Sequence, residues 1–218
     1  MAKKQKSFRP MLACPTPKDV SVIPLPMFVS PKLDGVRCVV RDGKALSRAL
    51  KPIPNNHTRP LLGPLPNTDG ELMVRGPDGK LLNFSETQSA VMTQAGWPNI
   101  EYHVFDYLAG GLESAVFKYR YAALKSWNNN APGFVQVVVH ELRHTLEEIW
   151  DDEEWAMGEG HEGLILRHPD SPYKYGRSTE KEGWLMKIKR FVDTEGEIVG
   201  FYERMHNDNA QEQDEVGL

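Results

Sequence analysis

The chain has only two cysteines in 218 residues, Cys14 and Cys38. Two thiols cannot assemble a zinc cluster by themselves, and so sparse a usage fits a reducing, intracellular compartment. Long apolar runs are missing as well. No stretch approaches the ~18 residues of a membrane span, and the N-terminus carries no signal-peptide core. Nor is there an excess of positive charge: a formal net charge of −4 argues against a protein that coats nucleic acid by bulk electrostatics. Internal repeats are absent. A polyanion partner would have to be met by a local patch.

What is present is ordinary in bulk and uneven in detail. Hydrophobic content of 40% and charged content of 26% are those of a globular protein, and the length allows one large domain or two small ones around a sizeable core. Lys3, Lys4, Lys6 and Arg9 open the chain as a solvated tail. Lys181, Lys187, Lys189 and Arg190 crowd one segment, while Asp208, Glu212, Asp214 and Glu215 crowd the C-terminal end.

Along the chain, residues 1–26 are polar and then proline-rich (Pro10, Pro15, Pro17, Pro24, Pro26), which predicts an extended lead-in. Strands are expected at Met27-Phe28-Val29, Val36 to Val40, Ala45 to Ser47 after an Asp42-Gly43 turn, and Gly70 to Val74 before Pro77-Asp78-Gly79. Residues 49–66, with five prolines, read as a loop. Ser85-Glu86-Thr87-Gln88 fits a capping box, followed by a stripe of Val91, Met92 and Ala95 with Gly96 as the stop. Ile100 to Leu108 is a strand broken by Gly110-Gly111, and Ser114 to Trp127 a helix with Phe117, Tyr121 and Leu124 on one face. Phe134 to His140 is a nearly unbroken apolar strand. Thr145-Leu146-Glu147-Glu148 caps a further helix with Leu146, Ile149, Trp150 and Met157 on one side, ended by Gly158 and Gly160. Strands follow at Gly163 to Arg167, Trp184 to Ile188 and Glu197 to Tyr202. Strands outnumber helices and arrive in hairpin-like succession, which predicts the α+β class with two largely antiparallel sheets and flanking helices.

Two segments carry candidate chemistry. His140-Glu141-Leu142-Arg143-His144 matches the His-Glu-x-x-His pattern of zinc peptidases, which needs both histidines on one helical face. Here the capping box starts the helix at Thr145, after both of them, so the expectation is a strand-to-helix junction with partly exposed histidines. The other segment is Pro31-Lys32-Leu33-Asp34-Gly35-Val36-Arg37. Alone, it is a tight turn flanked by surface charges.

Its company changes that reading. Lys32-Leu33-Asp34-Gly35-Val36-Arg37, Ser47-Arg48, Gly70-Glu71-Leu72-Met73, Phe105 in Tyr102-His103-Val104-Phe105-Asp106, Glu162-Gly163-Leu164-Ile165-Leu166-Arg167 and Lys187-Ile188-Lys189 stand in that order across residues 30–190. On these motifs, and on the Pro10-Met11-Leu12-Ala13 lead-in, the chain resembles the nucleotidyltransferase domain of ATP-dependent DNA ligases. Small phage-type enzymes are the nearest in kind, within the superfamily that includes RNA ligases and mRNA capping enzymes. The resemblance covers nearly the whole chain.

The residue chemistry agrees with it. Freeing an ordinary lysine amine at neutrality costs roughly 4 kcal/mol, and surrounding cations lower that cost. The same cations neutralise a phosphate as pyrophosphate leaves. The resemblance implies that Lys32 attacks ATP and becomes lysyl-AMP, with Ser30, Pro31, Arg37, Arg48, Glu71, Phe105, Glu162, Lys187 and Lys189 around the nucleotide. Glu71 would hold the ribose hydroxyls or a metal, Phe105 would stack on adenine, and Lys187 and Lys189 would contact the α-phosphate. Glu71 and Glu162 suit magnesium, a hard cation. Arg48, Lys174 and Arg177 are candidates for contact with nicked double-stranded DNA, whereas Trp184 is expected in the core. Asp34 orients the apparatus without an assigned step.

Two departures accompany the resemblance. Many of these enzymes carry an acid two residues before the lysine, where Ser30 stands here. They also continue into a five-stranded OB-fold barrel, for which residues 190–218 are too few. The expected organisation is an adenylation domain over 1–190 and the start of a truncated or missing barrel over 191–218. The implied protein is a cytoplasmic monomer of a bacterial or phage-infected cell, serving DNA repair, replication or recombination. Alternatives are an RNA ligase, a GTP-using capping enzyme, or a nick-binding domain unable to adenylate itself.

Overall fold

A computed structural model describes residues 7–189. The expected strand Glu197 to Tyr202, the acidic end, Arg190 and the lysines at 3, 4 and 6 lie outside the described residues.

Two five-stranded sheets carry the chain. Sheet one holds β1 (Cys14–Pro15), β2 (Met27–Pro31), β8 (Glu141–Arg143), β9 (Leu164–Arg167) and β10 (Leu185–Ile188), in the order β1-β10-β9-β2-β8. Sheet two holds β3 (Val36–Arg41), β4 (Lys44–Ser47), β5 (Thr68–Val74), β6 (Ile100–Tyr107) and β7 (Val135–Val137), in the order β4-β3-β5-β6-β7. Among the named strands of the described residues, only β1 with β10 and β6 with β7 run parallel; the other strand pairings are antiparallel, as expected for the α+β class.

The helices cover these sheets. They are α1 (Thr58–Leu62), α2 (Phe84–Met92), α3 (Phe117–Asn128) and α4 (Leu146–Gly158). On α3, Phe117, Tyr121 and Leu124 recur at helical spacing and are buried against sheet two. On α4, Ile149 and Ala156 do the same against sheet one; burying a large apolar side chain such as Phe117, Leu124 or Ile149 contributes ~1.5–3 kcal/mol. Strand β6 alternates strictly, with Ile100, Tyr102, Val104 and Asp106 inward. Its other face, with Glu101, His103 and Phe105, is therefore free to line a cleft.

The chain crosses between the sheets at two places that matter for the site. Residues 32–35 join β2 of sheet one to β3 of sheet two, and residues 138–140 lead from β7 back to β8. A buried ionic cluster locks the sheets beside these crossings. Asp106 on β6 accepts from Arg120 of α3 at 2.7 and 3.1 Å and from Arg167 of β9 at 2.5 Å. The two guanidinium groups outweigh burial and hold the Asp106 carboxyl below the usual carboxylate range.

Several boundaries differ from the sequence expectation. Helix α2 begins two residues early, because Asn83 and Glu86 form the capping box, with side-chain to backbone bonds of 2.9 and 3.1 Å. It ends at Met92, before Gly96. Within the expected loop 49–66, α1 forms because Asn55 accepts from the amides of His57 and Thr58 at 3.1 and 2.8 Å, while its own amide donates to Thr93 and Ala95 carbonyls. Five residues are too few to show periodicity. Strand β5 starts at Thr68, and a 3-10 turn at Leu112–Ser114 precedes α3. The apolar run Phe134 to His140 is not one strand, because it ends β7 at Val137 and then changes sheets. Met157 on α4 is exposed instead of packed. The lead-in is part of the fold: Met11 is fully buried with Tyr173 and Leu185, and β1 extends sheet one.

Candidate active site

The first crossing places Lys32 at the mouth of a cleft of about 540 Å³ between the sheets. The Lys32 amide donates to the Gly163 carbonyl at 2.8 Å, which fixes the backbone where β2 ends. Its Nζ is paired with the Glu162 carboxylate, and Lys189 Nζ stands 2.9 Å from the same carboxylate. Burial opposes ionisation of Glu162, but hydrogen bonds from Lys32 and Lys189 prevail and hold its carboxyl below the usual range. Lys187 lies on β10 and Lys189 follows directly after its end, two residues further along the chain. Partial burial, then the charges of Lys189, Arg177 and Lys32, push the Lys187 ammonium below its ordinary value. Two cations thus share one acid, with Lys187 close enough to feel all three charges.

Gly163 explains how the acid comes so close. Its φ of 137° and its contact with β10 leave no room for a side chain, since a Cβ would overlap the Ile188 carbonyl oxygen. Gly35 plays the same part on the other side, where a Cβ would strike the Leu72 carbonyl and the Met73 sulfur.

Across the cleft, sheet two aligns Arg37, Glu71 and His103 on adjacent strands. Arg37 forks onto Asp69 with two bonds of 2.6 Å and donates to the Met11 carbonyl at 3.1 Å. Burial disfavours its charge, but Asp69 overrides this and raises its pKa. The guanidinium lies 4.6 Å from the Phe105 ring centroid, covering one face of that ring. Burial, reinforced by Asp69, pushes the Glu71 carboxyl up to about 8 against the pull of Arg37 and Lys32. Glu71 and Phe105 both line the cleft, as do Ser30, Pro31, Arg48 and Arg177.

A scan against protein-family models matches the ATP dependent DNA ligase domain over residues 10–189. The chain belongs to the ATP-dependent DNA ligase domain family. Among curated relatives, the DNA ligase of Halobacterium salinarum is 31% identical over 163 residues, which is 69% of this chain and 27% of that protein. The chain therefore spans about a quarter of that relative's length. Among solved structures, Chlorella virus DNA ligase-adenylate is 32% identical with a TM-score of 0.74, covering 84% of this chain and 67% of that one. The ATP-dependent DNA ligase from bacteriophage T7, in complex with ATP, shares the fold at 21% identity, with a TM-score of 0.63 and coverage of 83% and 68%.

Within this ligase domain, the structure brings Lys32, Arg37, Arg48, Glu71, Phe105, Arg177 and Lys187 to one cleft, with Glu162 and Lys189 reached through their ion pairs. Lys174 stands apart, paired with Glu182 at 2.6 and 2.8 Å beside a separate shallow depression. Trp184 packs against the cluster of Met11 and Tyr173, as expected. A larger hollow of about 760 Å³ opens on the far side of Ser30 and Pro31, lined by Glu101 and His103, and contains none of the cleft's lysines.

The zinc-peptidase pattern has no support. His140 ends the second crossing, His144 precedes α4, and no group of three metal-ligating side chains exists among the described residues. The expectation that both histidines are partly exposed holds for His144 alone; His140 is buried. Sequence reasoning missed Asp69, which anchors Arg37, and the stripe of Phe84, Gln88 and Met92 on α2 beside Arg48. The four-residue spacing of that stripe was a readable signal. The pairing of Asp69 with Arg37 was not, because cross-strand register decides it.

Proposed function

We propose that this chain is the adenylation domain of an ATP-dependent DNA ligase that seals nicks in duplex DNA. The observation that carries the reading is the pairing of Lys32 and Lys189 with Glu162, with Lys187, Glu71 and Phe105 lining the same cleft as Lys32. In the first step Lys32 Nζ loses a proton and attacks the α-phosphorus of ATP; a P–N bond forms and the bond to pyrophosphate breaks. Lys187 and Lys189 neutralise the charge gathering on the phosphate oxygens. Arg37, held by Asp69, supports the ribose side, and the uncovered face of Phe105 receives adenine. In the second step a DNA 5′-phosphate oxygen displaces Lys32 from the AMP phosphorus. In the third, the neighbouring 3′-hydroxyl attacks the 5′-phosphate and AMP departs. Arg48 and Arg177, exposed at the rim, are placed to meet the DNA backbone.

Glu71 and Glu162 are the residues that would hold magnesium. Two carboxylates on facing walls fit an ion that takes most of its oxygen shell from substrate phosphates and water, and its chemistry here would be charge neutralisation. Glu162 is at present the counter-ion of Lys32, so recruiting it elsewhere favours loss of the Lys32 proton. We further propose a monomer acting in the cytoplasm; among the described residues no helix is long and apolar enough to cross a membrane.

The decisive test incubates the protein with magnesium and labelled ATP or GTP, followed by a search for an acid-labile covalent adduct. Label from ATP that disappears in Lys32→Ala is expected. Label from GTP alone would favour the capping-enzyme chemistry. No label from either, with sealing of pre-adenylated nicked DNA retained, would instead describe a domain that needs further residues to charge itself.

A further inference from the structure

The second crossing also lines the cleft, and the reaction above leaves it without a task. Strand β8 pairs with β2 in the register Met27↔Arg143, Phe28↔Leu142, Val29↔Glu141. One step further along that ladder, His140 falls opposite Ser30. The ladder stops there because the His140 amide donates to the Tyr121 hydroxyl at 2.9 Å. His140 is only 6% exposed, yet it lines the cleft together with Ser30, Phe105 and Ile165. Phe105 stands on sheet two and Ile165 on sheet one. A flat ring inserted between them would present its edge towards this region of the wall.

The imidazole is held in one orientation and one tautomer. Its ring packs edge-on against Phe117 and Tyr121, with centroids 5.2 and 4.9 Å away. Nδ1 lies 3.0 Å from the Val138 carbonyl oxygen. A carbonyl only accepts, so Nδ1 carries the proton. Burial pushes the ring's pKa down to about 4, which leaves this as its sole N–H proton at neutral pH. Nε2 is then an acceptor and nothing else. It has no hydrogen-bond partner among the described residues, and it is not one of the sealed unpartnered atoms, which are Thr58 Oγ1, Arg167 Nε and Ser171 Oγ. An accessible lone pair on a clamped ring is what a base-reading group requires.

We propose that His140 selects the nucleobase: its Nε2 accepts a hydrogen bond from the exocyclic amino group of adenine and repels the carbonyl oxygen that guanine carries at that ring position. This rests on the adenylation reading and names a specificity residue within the same cleft. Ser30, opposite His140, is too short to do this alone.

The test measures equilibrium binding of ATP, GTP and purine riboside 5′-triphosphate, which lacks the amino group, to the full chain and to its His140→Phe and His140→Gln variants. The parent should bind ATP about tenfold or more tighter than the purine analogue, the scale of a buried polar contact left unmade. His140→Phe, which refills the aromatic box without an acceptor, should bring ATP down to the level of the analogue and leave the analogue within about twofold. His140→Gln, whose amide oxygen accepts, should keep part of the preference. A parent that binds ATP and the analogue equally overturns the assignment, as does a uniform loss for all three ligands in His140→Phe. An ATP adduct on Lys32 combined with an unchanged ATP preference in His140→Phe would overturn it and leave the adenylation reading intact. No binding of any triphosphate by the parent would overturn both.

Discussion

Asp106→Asn is the substitution that most directly tests how the two sheets are held in register around the cleft. Asp106 and Arg120 are fully buried and Arg167 is 3% exposed. The variant keeps the shape and removes the charge, so two buried guanidinium groups face a neutral amide. Arg120 keeps the Ala115 and Ser171 carbonyls as partial compensation. Arg167 keeps a contact of 3.4 Å with the Met11 sulfur and the face of the Phe117 ring, 4.5 Å from its centroid, and its Nε lacks a partner among the described residues. Breaking one buried ion pair from one side costs ~3–5 kcal/mol. With two arginines dependent on one acid, and one of them partly compensated, a loss of about 4 kcal/mol or more is expected. Against a typical stability of ~5–15 kcal/mol that is a large share, and for a chain of this size it lowers Tm by about 10 °C. Denaturant titration followed by tryptophan fluorescence and circular dichroism measures it. The pH dependence supplies a second check. The Asp106 carboxyl sits below its ordinary 3.8 in the fold, so its contribution is complete above that value and is lost as pH falls through the lower folded value. The parent should lose stability there by a component that Asp106→Asn lacks. A loss under about 1 kcal/mol with an unchanged m-value would mean the arginines are solvated or re-paired, and the clamp argument would be wrong.

Two further outcomes follow from the site. Glu71 has its folded pKa raised from 4.5 to about 8, so its protonated form is the one the fold prefers, and stability falls as pH rises between those values by up to about 1.4 kcal/mol per unit. Glu71→Gln removes that slope: without nucleotide or metal, its Tm should gain on the parent from pH 5 to pH 8, and a Tm difference unchanged between those two values would refute the assignment. Gly163→Ala forces a Cβ into the Ile188 carbonyl at a φ of 137°. It should cost a few kcal/mol in thermal unfolding and abolish the Lys32 adduct by displacing Glu162 and Lys189; a variant that labels normally would show that the close approach is dispensable.

Much of the fold was legible because its signals are local. The Thr145 capping box, the buried stripe of α3, and the strands carrying Val36 to Val40 and Ile100 to Tyr107 each follow from hydrogen-bonding side chains or periodicity within a few residues. The misses have a common cause. Helix α1 depends on Asn55 bonding to residues about forty positions away. The Phe134 to His140 run looked like one strand because a short strand and the half-buried connection that leaves it produce the same apolar text as one buried strand.

The same division holds for the site. Lys32, Glu71, Phe105, Glu162, Lys187 and Lys189 could be singled out because their motifs stand in the order of those of the ATP-dependent DNA ligases they resemble; none is conspicuous alone. Only the tertiary structure could decide who partners whom. It ties Lys32 and Lys189 to one carboxylate, engages Arg37 with Asp69, and sets Lys174 apart from the cleft. It also moves His140 from a dismissed metal pattern to the wall opposite Ser30. Those relations depend on strand register and on where the chain changes sheets, and neither is encoded by any window of neighbouring residues.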